Sequence, residues 1–209
     1  MRVLKWIGIV VGVVLLVALL VGGTLYFMGG RVLARTYADV PVREVPIPSD
    51  AAAIARGEHL VHHVNLCVDC HGDNLQGTLF IDDPAFMHLP APNLTSGQGG
   101  IGGAAYTDSM WVRALTQGVG GDDRGLLIMP ATHYHALNDA DLGAVVAYLK
   151  QLPPQNNELG KRTAGPIGHI VLGLGGIEPE PNLVKDLPAA TTIAPAANAE
   201  YGAYMVTIA

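Results

Sequence analysis

The chain holds only two cysteines, and they stand in the run Cys67-Val68-Asp69-Cys70-His71-Gly72. Positions i and i+3 of a helix share a face one turn apart, so the two thiols point the same way with an imidazole directly behind them. Thiol exchange, metal ligation and covalent attachment of a group all use such a set. A redox dithiol of this spacing ordinarily follows a strand in a βαβ unit, and no strand pattern precedes Cys67. A structural zinc takes four ligands, and there is no second cysteine pair. His59, His62 and His63 are the nearest further donors. With Gly57, Leu60, Val61 and Val64 forming an apolar face, the three histidines fall opposite it and read as solvent-facing.

Cys-x-x-Cys-His is the attachment signature of a c-type heme. The thiols add across the two vinyl groups, and the following imidazole binds the iron. Electron transfer calls for a second axial ligand, whereas catalysis leaves that position open. Met129, in Leu126-Leu127-Ile128-Met129-Pro130, is the first candidate, on a loop stiffened by Pro130. Met87 is a rival on an earlier loop, and His133 or His135 would give a bis-histidine heme. Met1 and Met28 belong to an apolar N-terminal segment, Met110 to a helix, and Met205 to the distant tail. Leu94, Leu126 and Ile128 are the residues expected to exclude water. A peroxidase-like heme enzyme with a displaceable sixth ligand is the alternative.

Three helices are expected to position these groups. The first runs from about Asp50 to Leu66; the second follows Thr107 as N-cap and ends at Gln117 before Gly118. The third begins near Asn138, carries Leu142, Val145, Val146 and Leu149 on one face, and stops before Pro153-Pro154. Residues 72–105 are rich in turn formers, and no alternating β pattern stands out. Three modest helices in about 100 residues make a small core, which a porphyrin would enlarge.

Residues 7–27 carry no charge and are long enough to cross a hydrocarbon core of about 30 Å. Trp6 flanks one end, and Tyr26 and Phe27 the other. The run exceeds a usual signal-peptide core, which favours an uncleaved anchor over cleavage near Val32-Leu33-Ala34. Basic residues on the two sides nearly cancel, so charge leaves the orientation open. From Glu44 onward there are 7 Lys and Arg against 17 Asp and Glu, a net charge of −10. Nucleic acid and anionic lipid are therefore poor partners, and a basic protein face is a better one.

Residues 56–152 resemble the class I cytochromes c, and more closely the membrane-anchored cytochrome subunits of bacterial dehydrogenases and multiheme c-type cytochromes. The resemblance rests on Arg56-Gly57-Glu58-His59-Leu60-Val61, Cys67 to Gly72, Ala91-Pro92-Asn93-Leu94-Thr95, Trp111-Val112-Arg113-Ala114-Leu115, Met129-Pro130 and Ala147-Tyr148-Leu149-Lys150. It implies an all-α fold of three to five helices around one covalent heme c, behind one transmembrane helix. It implies that Gly57 and Tyr148 sit where the first and last helices cross, and that the Pro92 carbonyl accepts the His71 Nδ1 proton. Tyr106 stands where the family often has a tryptophan near a heme propionate. Leu94, Tyr106 and Arg113 thus join Cys67, Cys70, His71, Pro92 and Met129 as candidate heme-contacting residues, with His71 and Met129 on the iron. The resemblance further implies single-electron transfer between redox protein partners, in a respiratory, photosynthetic or dehydrogenase complex, with no small-molecule substrate. It places the amino terminus in the cytoplasm and the heme domain on the periplasmic or extracellular side of a bacterial plasma membrane.

The expected organisation is an anchor over residues 1–30, a proline-containing tether over 31–50, a heme domain over 51–153 and a Pro/Gly/Ala-rich linker over 154–209. The tail Glu200-Tyr201-Gly202-Ala203-Tyr204-Met205-Val206 matches the start of the first helix, with Gly202 on Gly57. It reads either as the threshold of a second cytochrome c repeat or as a segment docked on the first.

Overall fold

The computed structural model describes all 209 residues. Helix α1 spans Arg2–Ala34. It is long and apolar enough to cross a membrane, and most of it stands clear of the rest of the protein. Helix α2, Ala51–His59, begins where the Asp50 carboxylate accepts from the Ala53 amide at 3.0 Å. It continues into a π turn, Leu60–Val64, and a short helix α3, Cys67–His71. Helix α4, Asp108–Gln117, is capped by the Thr107 hydroxyl and closes on Gly118 at φ +62°. Helix α5 is one turn, Ala131–Tyr134, and α6 is Asp139–Leu149 with Asn138 as its cap. These three caps are the ones the sequence signals, and each satisfies an amide that the helix itself leaves free.

The main core lies among α2, the π turn, α4 and α6. Leu60, Val61, Leu75, Leu94, Trp111, Leu142 and Val146 are buried in it. Helices α2 and α6 cross at Gly57, where a Cβ would stand 2.0 Å from the Ala144 carbonyl oxygen and 2.9 Å from Tyr148 Cβ. No other residue type permits so close a crossing.

The expectation of an all-α fold is corrected by a small sheet. Strands β1, Thr78–Asp83, and β2, Met87–Ala91, form an antiparallel hairpin, and β3, Thr163–Ala164, pairs with β2. A register irregularity between Leu79 and Ile81 disrupts the period-two pattern in β1, and Pro90 interrupts β2. Only Met87 to Leu89 alternates, which is too short a signal to separate from loop.

Met87 and Leu89 join Leu127 and Leu172 in a second cluster, against which Val32 and Leu33 of α1 pack. The proline-containing stretch after α1 lies along the domain. Tyr37 donates its amide to Asp123 O at 2.8 Å, and Val42, Val45 and Ile47 pack on the main core. Beyond Pro154, helix α7 is Pro166–Gly173, α8 is Glu180–Val184 and α9 is Ala199–Ile208. Tyr204 and Ile208 of α9 are buried in the main core.

Candidate heme site

Cys67 opens α3 and Cys70 follows one turn later. The chain is bent into this helix by Leu66 at φ +48° and leaves it through Gly72 at φ +79°. Behind it, Gly77 donates its amide to His71 O at 2.7 Å, and Leu94 donates to Leu75 O at 2.9 Å. A Cβ on Gly77 would fall 2.6 Å from the Asn93 amide nitrogen, so the loop after His71 lies directly on the loop carrying Pro92. The Asn93 side chain accepts from the Thr95 amide at 2.9 Å and donates to Gln155 O at 2.7 Å, which fixes that loop from its other side.

This framework sets one contact. His71 Nδ1 lies 2.8 Å from Pro92 O. A carbonyl only accepts, so Nδ1 holds the proton and Nε2 presents a lone pair. Burial also lowers the His71 pKa, partly opposed by the Pro92 bond, and keeps the ring neutral. A neutral, oriented imidazole is the form that binds iron.

The surroundings of the thiols favour their protonated form. Burial pushes Cys67 up to about 12, and Cys70 is also raised by burial and then by Asp69. Reactive dithiols have depressed values instead. Nor do three or more His, Cys, Asp or Glu side chains gather anywhere as a metal cluster.

Met129 is half-buried and packs, like Cys67 and Val68, against the main core. Ile128 before it adopts φ +67°, and Pro130 after it caps α5. Tyr134 of α5 donates to Asn65 O at 2.9 Å, two residues before Cys67, and so joins the Met129 loop to the cysteine helix. The rival ligands are engaged elsewhere. Met87 is fully buried in the second cluster. His135 has Nδ1 2.8 Å from Thr116 O and Nε2 3.2 Å from Pro188 O, and His133 Nδ1 is 2.9 Å from Ala209 O.

Leu94 is buried, and Ile128, beside Met129, adopts a left-handed backbone and is 40% exposed. Of the three histidines read as solvent-facing, His59 and His63 are exposed, whereas His62 is half-buried with Nε2 2.9 Å from Tyr148 OH. The π turn is wider than a regular α-helical turn, and His62 within it faces Tyr148 of α6.

Tyr106 packs edge-on against Trp111 with ring centroids 4.8 Å apart, and burial pushes its phenol up to about 12. Arg113 Nη2 reaches Asp123 Oδ1 at 2.6 Å and Gly120 O at 3.0 Å. Trp111 Nε1 and Arg113 Nε are buried with no acceptor from the chain. Buried donors are nearly always satisfied, so both are available to an anionic group such as a heme carboxylate. Two protonated thiols on one helix face, a neutral imidazole, a thioether and two free donors fit a covalent heme.

Sequence reasoning missed Glu180. Its side chain touches Gly118 and the start of α5 just after Met129-Pro130, and burial pushes it up to about 7 against the pull of the Ala131 amide, the His133 ring and the Thr132 amide. It sits in a proline-rich tail with no periodic pattern to mark it.

No curated protein matches the chain. The family model for cytochrome c matches residues 54–153, a span that contains the cysteine pair, His71, Pro92, Trp111, Arg113 and Met129, so this segment is similar to the cytochromes c.

Proposed function

We propose that the protein is a membrane-anchored electron carrier with one covalent heme c, bound through Cys67 and Cys70 and ligated by His71 and Met129. The observation that carries this reading is the His71–Pro92 contact, which leaves Nε2 as a neutral donor beside two protonated thiols. The heme supplies one-electron chemistry when bound. Met129 offers a soft, neutral thioether, which favours the ferrous state and raises the reduction potential. Trp111 Nε1 and Arg113 Nε would hold a carboxylate of the bound heme, and the buried Leu75, Leu94 and Trp111 would help keep water from it.

Helix α1 anchors the domain, with its amino terminus cytoplasmic and the heme domain on the periplasmic side. The acidic surface suits a redox partner with a basic docking face. Denaturing electrophoresis of the native protein followed by heme staining tests the attachment. Stain on the intact polypeptide, lost when Cys67 and Cys70 are both replaced by Ala, supports it. An unstained polypeptide overturns it.

A further inference from the structure

Helix α7 packs along the end of α1 more closely than ordinary side chains allow. A Cβ on Gly29 would stand 1.9 Å from His169 O, and one on Gly173 would stand 2.1 Å from Leu25 O. The Tyr26 and His169 rings stack at 4.2 Å. Gly29 and Tyr26 pair with His169 while Leu25 pairs with Gly173, so α7 runs antiparallel to α1, back from its carboxyl end. Small residues at such contacts are how helices approach each other within a bilayer.

The residues of α1 that α7 meets lie at the edge of the apolar span. No charge occurs between Lys5 and Arg31, a rise of about 38 Å at 1.5 Å per residue, against a hydrocarbon thickness of about 30 Å. The hydrocarbon boundary therefore falls close to Phe27, and Gly173 opposite Leu25 is at or below it.

The sequence of α7 suits that depth. Residues 163–177 contain no Asp, Glu, Lys or Arg, and Ile167 and Leu174 are 54% and 67% exposed. The helix is eight residues, far short of a span. It ends at Gly173, Gly175 beyond it takes φ +75°, and the amides of Leu174, Gly175 and Gly176 turn back onto the carbonyls of Ile170, Leu172 and Val171. This closes the backbone polar groups that lipid would leave unpaired. Ile177 then returns to the second cluster, beside Val32, Leu33 and Leu172.

We infer that α7 and its Gly175-Gly176 turn dip into the outer leaflet beside α1, so that the heme domain is seated on the lipid bilayer and not held on a free tether. This rests on the reading that α1 is a retained anchor. The occupant of the exposed Ile167 and Leu174 surface is lipid, because that surface continues the apolar surface of α1. The same contacts reach the redox site: Leu127 shares the second cluster with Leu172 and lies two residues before Met129.

Site-directed spin labelling of the full-length heme-loaded protein in phosphatidylcholine liposomes tests the seat. The native thiols are consumed by heme, so Leu174→Cys, Leu16→Cys and Gln151→Cys each present one reactive thiol. A label at 174 should collide several-fold more with oxygen relative to a water-soluble nickel chelate than the label at exposed Gln151, and should approach the ratio at Leu16. If the label at 174 matches 151 while 16 is in lipid, the seat is wrong and the anchor stands. If the label at 16 is also in water, or the native mass lacks α1, both readings fall.

Discussion

Gly57 in α2 and Ala144 in α6 meet backbone to backbone, with room for no side chain between them. The crossing brings the helix that leads to the cysteines against the helix that closes the domain. Replacing Gly57 with Ala forces the helices apart, an overpacking that costs about 2 kcal/mol and lowers Tm by roughly 10 °C. A thermal melt of the heme-loaded variant that overlays the native curve would contradict this crossing.

The Asp141 carboxylate is buried and receives Arg56 Nε at 2.9 Å, Arg56 Nη2 at 3.1 Å and Tyr204 OH at 2.7 Å. Arg56 also donates to Tyr201 OH at 2.8 Å, and Asn65 Nδ2 to Ile208 O. One carboxylate thus ties α2, α6 and α9 together. Asp141→Ala leaves a half-buried guanidinium unpaired and is expected to cost about 3 kcal/mol. It should also free α9, detected as faster proteolysis at Tyr201 and Tyr204. Unchanged cleavage would show that α9 is held by Ile208 and its apolar neighbours alone.

Glu180 makes stability depend on pH. Its folded pKa, about 7, lies above its ordinary value of 4.5. The folded state therefore holds the proton more tightly, and the linked stability is complete below about pH 4.5 and lost as pH rises through about 7. Glu180→Gln removes this dependence. Urea unfolding should find the variant more stable than the native protein at pH 8 by roughly 2 kcal/mol, with the gap narrowing toward pH 5. A gap that is constant over this range would show that Glu180 does not titrate there.

Association with a redox partner should be sensitive to salt. Exposed charges are screened over about 8 Å at physiological ionic strength. A protein with 17 acidic and 7 basic residues after position 43 is expected to exchange electrons more slowly with its native partner as salt rises. Second-order rates that stay level between low and high salt would remove electrostatic docking from the account.

Local signals were readable and contacts made at a distance were not. Helices α2, α4 and α6 start at Asp50, Thr107 and Asn138 because each offers an oxygen to a free amide, a rule confined to four residues. The hairpin escaped because its alternation is interrupted by a register irregularity and a proline. The π turn escaped because one widened turn leaves no periodic trace, and His62 lies within it. The Cys67-to-His71 run was legible as chemistry, and the Pro92 contact only through resemblance, since 21 residues separate the two partners. Glu180 and the docking of Tyr204 depend on where the Pro- and Gly-rich tail folds back, which residue spacing does not encode.

The ligand pair His71 and Met129 is the centre of the account, and replacing Met129 with Ala tests it most directly. The oxidised native protein should show the weak far-red band of a sulfur–iron bond. The variant should lose that band, keep its covalent heme, and have a lower reduction potential, because a soft neutral ligand that favours ferrous iron is gone. A native protein without the band, or a variant that retains it with an unchanged potential, would show that another residue holds the iron.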